Sequence, residues 1–121
     1  MSLTAMDLVA AAKQNIKEVD VASTKAELSK YIVLDVRAPG EFVTGSLPGA
    51  INISRGVLEF KIDSHPDFVG KKDADILVYC QTGGRSALAT EVLNKMGYTK
   101  AVSLEGGYQA WQKDNEVNDD D

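Results

Sequence analysis

The chain is poor in the residues that would anchor several kinds of chemistry. It has one cysteine, Cys80, so it closes no internal disulfide. One thiol is also too few for a cysteine-based zinc site. The single histidine, His65, sits beside Pro66 in a polar stretch with no partner residue close in sequence, which reads as a surface histidine and leaves cysteine–histidine hydrolysis with little support. No apolar run approaches the roughly 18 residues of a membrane span. The beginning lacks the order of a secretory signal: Asp7 interrupts it, and Lys13 and Lys17 follow the apolar stretch rather than precede it. A reducing, cytoplasmic setting is the expectation. An excess of basic residues is also missing. The net charge is −5, but five of the 18 acids lie in residues 114–121, leaving 13 acids against 13 bases in the body. Neither a neutral body nor an acidic end suits nucleic acid, which needs a basic stripe. No long apolar seam is visible, so a monomer is expected.

What is present fits one soluble domain. Residues 1–113 read as that domain, and 114–121 read as a solvated, disordered acidic tail. Residues 4–14 are expected to form a helix capped by Thr4, with Met6, Leu8, Val9 and Ala12 along one face. A short extended piece at Val19 and Val21 leads to a second helix through Lys30, capped by Ser23 or Thr24 with Glu27 completing the box. The runs 31–36 and 75–80 are continuously apolar, as strands buried on both faces of a parallel sheet are. Residues 50–53 and 101–104 are further strands. Short helices are expected near Glu41 and over 56–60, a loop over 61–74, a helix over 86–96, and a last helix that includes Trp111. Alternating strands and helices with short links predict an α/β domain with a mostly parallel sheet. Ligands of such sheets bind beyond the carboxyl ends of the strands.

Cys80 stands at such an end. Gln81, Thr82, Gly83, Gly84 and Arg85 follow it, two of them glycines and none an acid. Glycines let successive backbone N–H groups turn inward as an anion nest, and the next helix adds its positive end. Arg85 adds a full charge. Together these favour thiolate over thiol, whereas a free cysteine is only about 3% ionised near neutrality. Such a nucleophile can accept a group and pass it on. Four residues separate Cys80 from Arg85. A phosphate cradle is roomier, and the shorter loop fits a smaller acceptor, the terminal sulfur of a persulfide.

The segment Cys80-Gln81-Thr82-Gly83-Gly84-Arg85-Ser86 resembles the active-site loop of the rhodanese family. Three other segments match in order. They are Asp35-Val36-Arg37 with Glu41-Phe42, Leu47-Pro48-Gly49-Ala50-Ile51-Asn52-Ile53, and Leu104-Glu105-Gly106-Gly107-Tyr108-Gln109-Ala110-Trp111. The resemblance implies a rhodanese-like three-layer fold, a five-stranded parallel sheet with helices on both faces. It also implies transfer of sulfane sulfur, without a cofactor or metal, from a donor such as thiosulfate to a thiophilic acceptor, either cyanide or a small or protein thiol. Ser46 is a departure: the family commonly has histidine before this segment's Leu47-Pro48 position.

Three more residues are candidates for the pocket or its scaffold. Asp35 and Arg37 lie at the end of a predicted strand. Asp35 is expected to orient a neighbouring loop and Arg37 to pair with Glu41, or both to be structural ion pairs. Arg55 follows another strand end, either as a surface residue or to steer an anionic donor. Tyr108 and Trp111 are expected in the core. Two other functions compete with sulfur transfer. One is a phosphatase or arsenate reductase with a similar loop. The other is a non-catalytic binding or redox module.

Overall fold

The computed structural model describes residues 2–119. Helix α1 (Ala5–Asn15) opens it. Thr4 Oγ1 accepts from the Asp7 amide, and the Asp7 carboxylate accepts from the Thr4 amide, so each end of the cap satisfies the other. Only Val9 and Ala12 of the expected apolar face are buried. Met6 and Leu8 stay exposed, because the buried side of α1 is the one that packs against Ala87 and Leu88. Strand β1 (Glu18–Val19) precedes α2 (Val21–Ala26). The cap of α2 is Asp20, whose carboxylate accepts from the Ser23 amide at 2.8 Å, rather than Ser23 or Thr24. Thr24 instead turns its hydroxyl back onto the Asp20 carbonyl.

The remaining strands are β2 (Ile32–Asp35), β3 (Ile51–Asn52), β4 (Ile76–Tyr79) and β5 (Ala101–Leu104). They lie in the order β1-β5-β4-β2-β3, and every pairing is parallel. Between them run α3 (Pro39–Val43), α4 (Leu58–Lys61), α5 (Gly84–Lys95) and finally α6 (Gly107–Asp119). The fold class is α/β, as the alternation of elements predicts.

The two-residue period of a strand divides the core. Leu34, Ile76, Val78 and Cys80 point to one face, where Leu58, Ala89 and Leu93 cover them. Val33, Leu77, Tyr79 and Leu104 point to the other, against Val21, Leu47 and Trp111. Cys80 therefore projects toward α5, the helix that begins four residues later. The stretch 61–74, expected as plain loop, is tied down by Ile62 and Phe68, both fully buried.

The expected separate tail takes a different form in the structure. Helix α6 continues to Asp119 because Trp111 anchors it and no breaker follows Gly107. Lys25 of α2 holds it there. Its ammonium lies over the Trp111 ring, 2.5 Å from the Asp114 carboxylate, and also reaches the Asn115 amide oxygen. Asp120 and Asp121 lie outside the described residues.

Candidate active site

The loop between β4 and α5 folds so that its amides face the sulfur. Gly83 N–H donates to Cys80 Sγ at 3.1 Å, and Ser86 N–H donates to it at 3.3 Å. Gly83 reaches this geometry at φ 112°, which a side chain rarely allows, and serves as the N-cap of α5. The helix thus starts at Gly84, two residues before the expected Ser86, and its positive end is aimed at the thiol. Ser86 Oγ lies 3.5 Å from Sγ, bonds the Gly83 carbonyl, and is 2.9 Å from Ser103 Oγ. Cys80 is recessed at 1% exposure, while Thr82 at the crown of the loop is open to solvent.

A second helix holds the loop from behind. Tyr108 N–H donates to the Cys80 carbonyl at 2.9 Å, and Gln109 N–H to the Gln81 carbonyl at 3.0 Å. The first amides of α6, which have no partner inside their own helix, are satisfied by the loop they brace. Gly107 makes this approach feasible, since a Cβ there would lie 2.5 Å from the Cys80 oxygen.

Asp35 and Arg37 form a buried network that Gln81 joins at its half-buried edge. The Asp35 carboxylate accepts from the Arg37 backbone amide and from its Nε and Nη2, and from the Tyr79 hydroxyl at 2.7 Å. Arg37 also donates to Gly45 O at 2.6 Å and to Gln81 Oε1 at 3.3 Å. Its guanidinium lies 4.5 Å from the centre of the Tyr108 ring. Burial works against the Arg37 charge, but the Asp35 carboxylate more than offsets it and holds the pKa above the ordinary value. Burial, with the Asp35 carboxylate beside it, pushes the Tyr79 hydroxyl well above the usual phenol range. Asn52 donates to the carbonyls of both Asp35 and Arg37 and fixes the turn that carries them.

The expected pairing of Arg37 with Glu41 is not formed. Arg37 turns inward to Asp35, two residues back on the same chain exit. Glu41 reaches across to Arg85 instead, with its two carboxylate oxygens 2.7 and 3.0 Å from the two terminal guanidinium nitrogens. That contact draws the Glu41 carboxyl down to about 2 and raises the Arg85 guanidinium. Arg55 is likewise paired, with Glu59 at 2.8 Å, while its Nε is buried without an acceptor. All three arginines of the chain are therefore held by acids.

Glu41 as the partner of Arg85, Ser86 with Ser103, Tyr79, Asn52 and the α6 amides were not singled out from sequence as parts of the site. Ser103 carried a usable signal. It is the one polar residue of an apolar strand, and it shares the face of Ala101, which packs toward α5. His65 stays apart, where its Nδ1 accepts from the Asp67 amide and its ring meets Phe68 edge-on. Among the described residues no cluster of His, Cys, Asp and Glu suits a metal ion.

A family model for the rhodanese-like domain matches residues 11–114. A sulfurtransferase of Allochromatium vinosum is 29% identical over 101 residues, covering 81% of this chain and 90% of that protein. Thiosulfate sulfurtransferase 16, chloroplastic, of Arabidopsis thaliana is 41% identical over 96 residues, covering 71% of this chain and 78% of its own. Among solved structures, a protein of unknown function from Rhodopseudomonas palustris, described as a possible tyrosine phosphatase, superposes with a TM-score of 0.81. It is 28% identical and covers 95% of this chain and 93% of that one. The all-parallel five-stranded sheet, the strand-to-helix cysteine loop and a match running from α1 into α6 agree, and the chain belongs to the rhodanese family of sulfurtransferases.

Proposed function

We propose that Cys80 carries sulfane sulfur as a persulfide, taking it from thiosulfate or a persulfide donor and passing it to cyanide or a thiol. The observation that supports this most directly is the pair of N–H groups, from Gly83 and Ser86, that converge on one sulfur at the start of α5. The Cys80 thiolate attacks the outer sulfur of thiosulfate. A bond from Sγ to that sulfur forms, the sulfur–sulfur bond of the donor breaks, and sulfite leaves with the electron pair. The negative charge that remains on the persulfide is held by the same inward amides. An acceptor thiolate or cyanide then takes the outer sulfur and returns Cys80 to its starting state. In this reading the loop residues Gln81, Thr82, Gly83, Gly84 and Arg85 shape the cradle. Asp35 and Arg37 position it, and Arg55 stands at the next strand end. The chain works as a monomer in a reducing, cytoplasmic setting, without cofactor or metal.

The test is the mass of the protein after exposure to thiosulfate. One extra sulfur atom on Cys80, lost on adding cyanide and absent from Cys80→Ser, is the expected result. No added sulfur with thiosulfate or with a small persulfide would leave the fold as a binding or redox module.

The likeness to a protein described as a possible tyrosine phosphatase favours a second reading, hydrolysis of a phosphate ester. Four intervening residues and two amides on the sulfur make a small cradle for a phosphoryl group with three equatorial oxygens. Hydrolysis of an aryl phosphate that vanishes in Cys80→Ser would support this reading over the first.

A further inference from the structure

We infer that Glu41 is a specificity-determining residue that, by occupying Arg85, disfavours doubly charged small donors relative to donors of lower charge. The inference rests on the sulfur-transfer reading above and deepens it.

Arg85 is the one arginine of the cysteine loop, and it lies within electrostatic reach of Cys80. Left alone, it would present a full positive charge to anything entering. Both of its terminal nitrogens are instead taken by the Glu41 carboxylate, which comes from α3, 44 residues away in sequence. The pair is neither deep nor hidden: the Arg85 side chain is 41% exposed and that of Glu41 36%. It is open to solvent in the first turn of α5, at the close of the cysteine loop. The other two arginines do not replace the lost charge, because Arg37 is held by Asp35 and Arg55 by Glu59. The mouth of the loop thus offers backbone dipoles but no free guanidinium among the described residues.

The consequence scales with donor charge. At about 6 Å in water one unit charge attracts another by about threefold in binding, and so attracts a dianion by about tenfold. Thiosulfate is a dianion, whereas methanethiosulfonate has nearly the same shape with one charge less. Both transfer their outer sulfur to a thiolate, one releasing sulfite and the other methanesulfinate. Neutralising Glu41 should restore the guanidinium charge and help the dianion more than the monoanion.

The experiment is single-turnover persulfide formation on Cys80 with each donor, in wild type, Glu41→Gln and Glu41→Asp. In Glu41→Gln the half-saturating concentration should fall about tenfold for thiosulfate and about threefold for methanethiosulfonate, with the limiting rate changed less. The gap should narrow in 0.5 M salt, where charges are screened within a few ångströms. Glu41→Asp keeps the carboxylate and should restore the wild-type ratio. If both donors change by the same factor in Glu41→Gln, or if Glu41→Asp behaves like it, Glu41 is structural and the inference falls while sulfur transfer stands. If wild type gains no sulfur from either donor, the sulfur-transfer reading falls and takes this inference with it.

Discussion

Gly107 lies against the carbonyl of Cys80 so closely that no side chain fits between them, with the φ of Gly107 at 59°. A methyl group there would meet the Cys80 and Gln81 oxygens at 2.5 and 2.7 Å. Gly107→Ala must therefore move α6 or the loop. The strained backbone alone costs about 1–3 kcal/mol. Expected outcomes are a lower melting temperature and a persulfide-formation rate reduced at least tenfold. A rate unchanged in a folded variant would mean that the brace does not hold the loop in its working shape.

Asp35→Asn leaves Arg37 charged and buried without its counter-ion. Removing one partner of a buried ion pair typically costs about 3–5 kcal/mol. The Tyr79 hydroxyl and the Arg37 backbone amide would keep an acceptor only on one side of the new amide. A large drop in urea midpoint is the expected result, with any surviving folded protein still able to take up sulfur. Normal stability with lost turnover would place Asp35 in the chemistry instead of the scaffold.

Arg55→Ala removes a charge that Glu59 already balances. The half-saturating thiosulfate concentration should rise by less than about threefold, with the limiting rate intact, because the Glu59 charge left unbalanced belongs to a solvent-exposed pair outside the cysteine loop, where solvent and salt screen it. A rise of tenfold or more in steady-state kinetics would show that Arg55 leaves Glu59 to meet the donor with its unpartnered Nε.

Acid should weaken the Glu41–Arg85 link in a definite window. The Glu41 carboxyl titrates lower in the folded chain, at about 2, than its ordinary 4.5. Its contribution to stability is therefore complete above about pH 4.5 and is lost as the pH falls toward 2. The stability gap between wild type and Glu41→Gln should stay constant from pH 7 to 5 and shrink from 4.5 downward. The gap is modest because both side chains meet solvent. Chemical denaturation across that range measures it.

The strands and the cysteine loop were legible because each has a strong local signature: long apolar runs for β2 and β4, and a glycine pair between a strand and a helical pattern for the loop. What escaped was everything set by packing across the fold. Glu41 is closer in sequence to Arg37 than to Arg85, so proximity favoured a pairing that the buried Asp35–Arg37 contact excludes. Ser103 stands out in sequence as the one polar residue of its strand, but its partner Ser86 follows only once the strand face and the opposing helix are known. Composition alone set the acidic end apart from the domain. The Trp111 anchor and the Lys25 grip, 86 residues back from it, carry the helix on to Asp119.

The recess around Cys80 also governs what the sulfur cannot do. A disulfide needs its two α-carbons within about 7 Å of one another. Two copies of a chain whose only thiol is 1% exposed, beneath its own loop and backed by α6, cannot bring those backbones so close. Oxidative coupling of one molecule to another is sterically blocked, so air-aged protein should stay free of thiol-linked dimers.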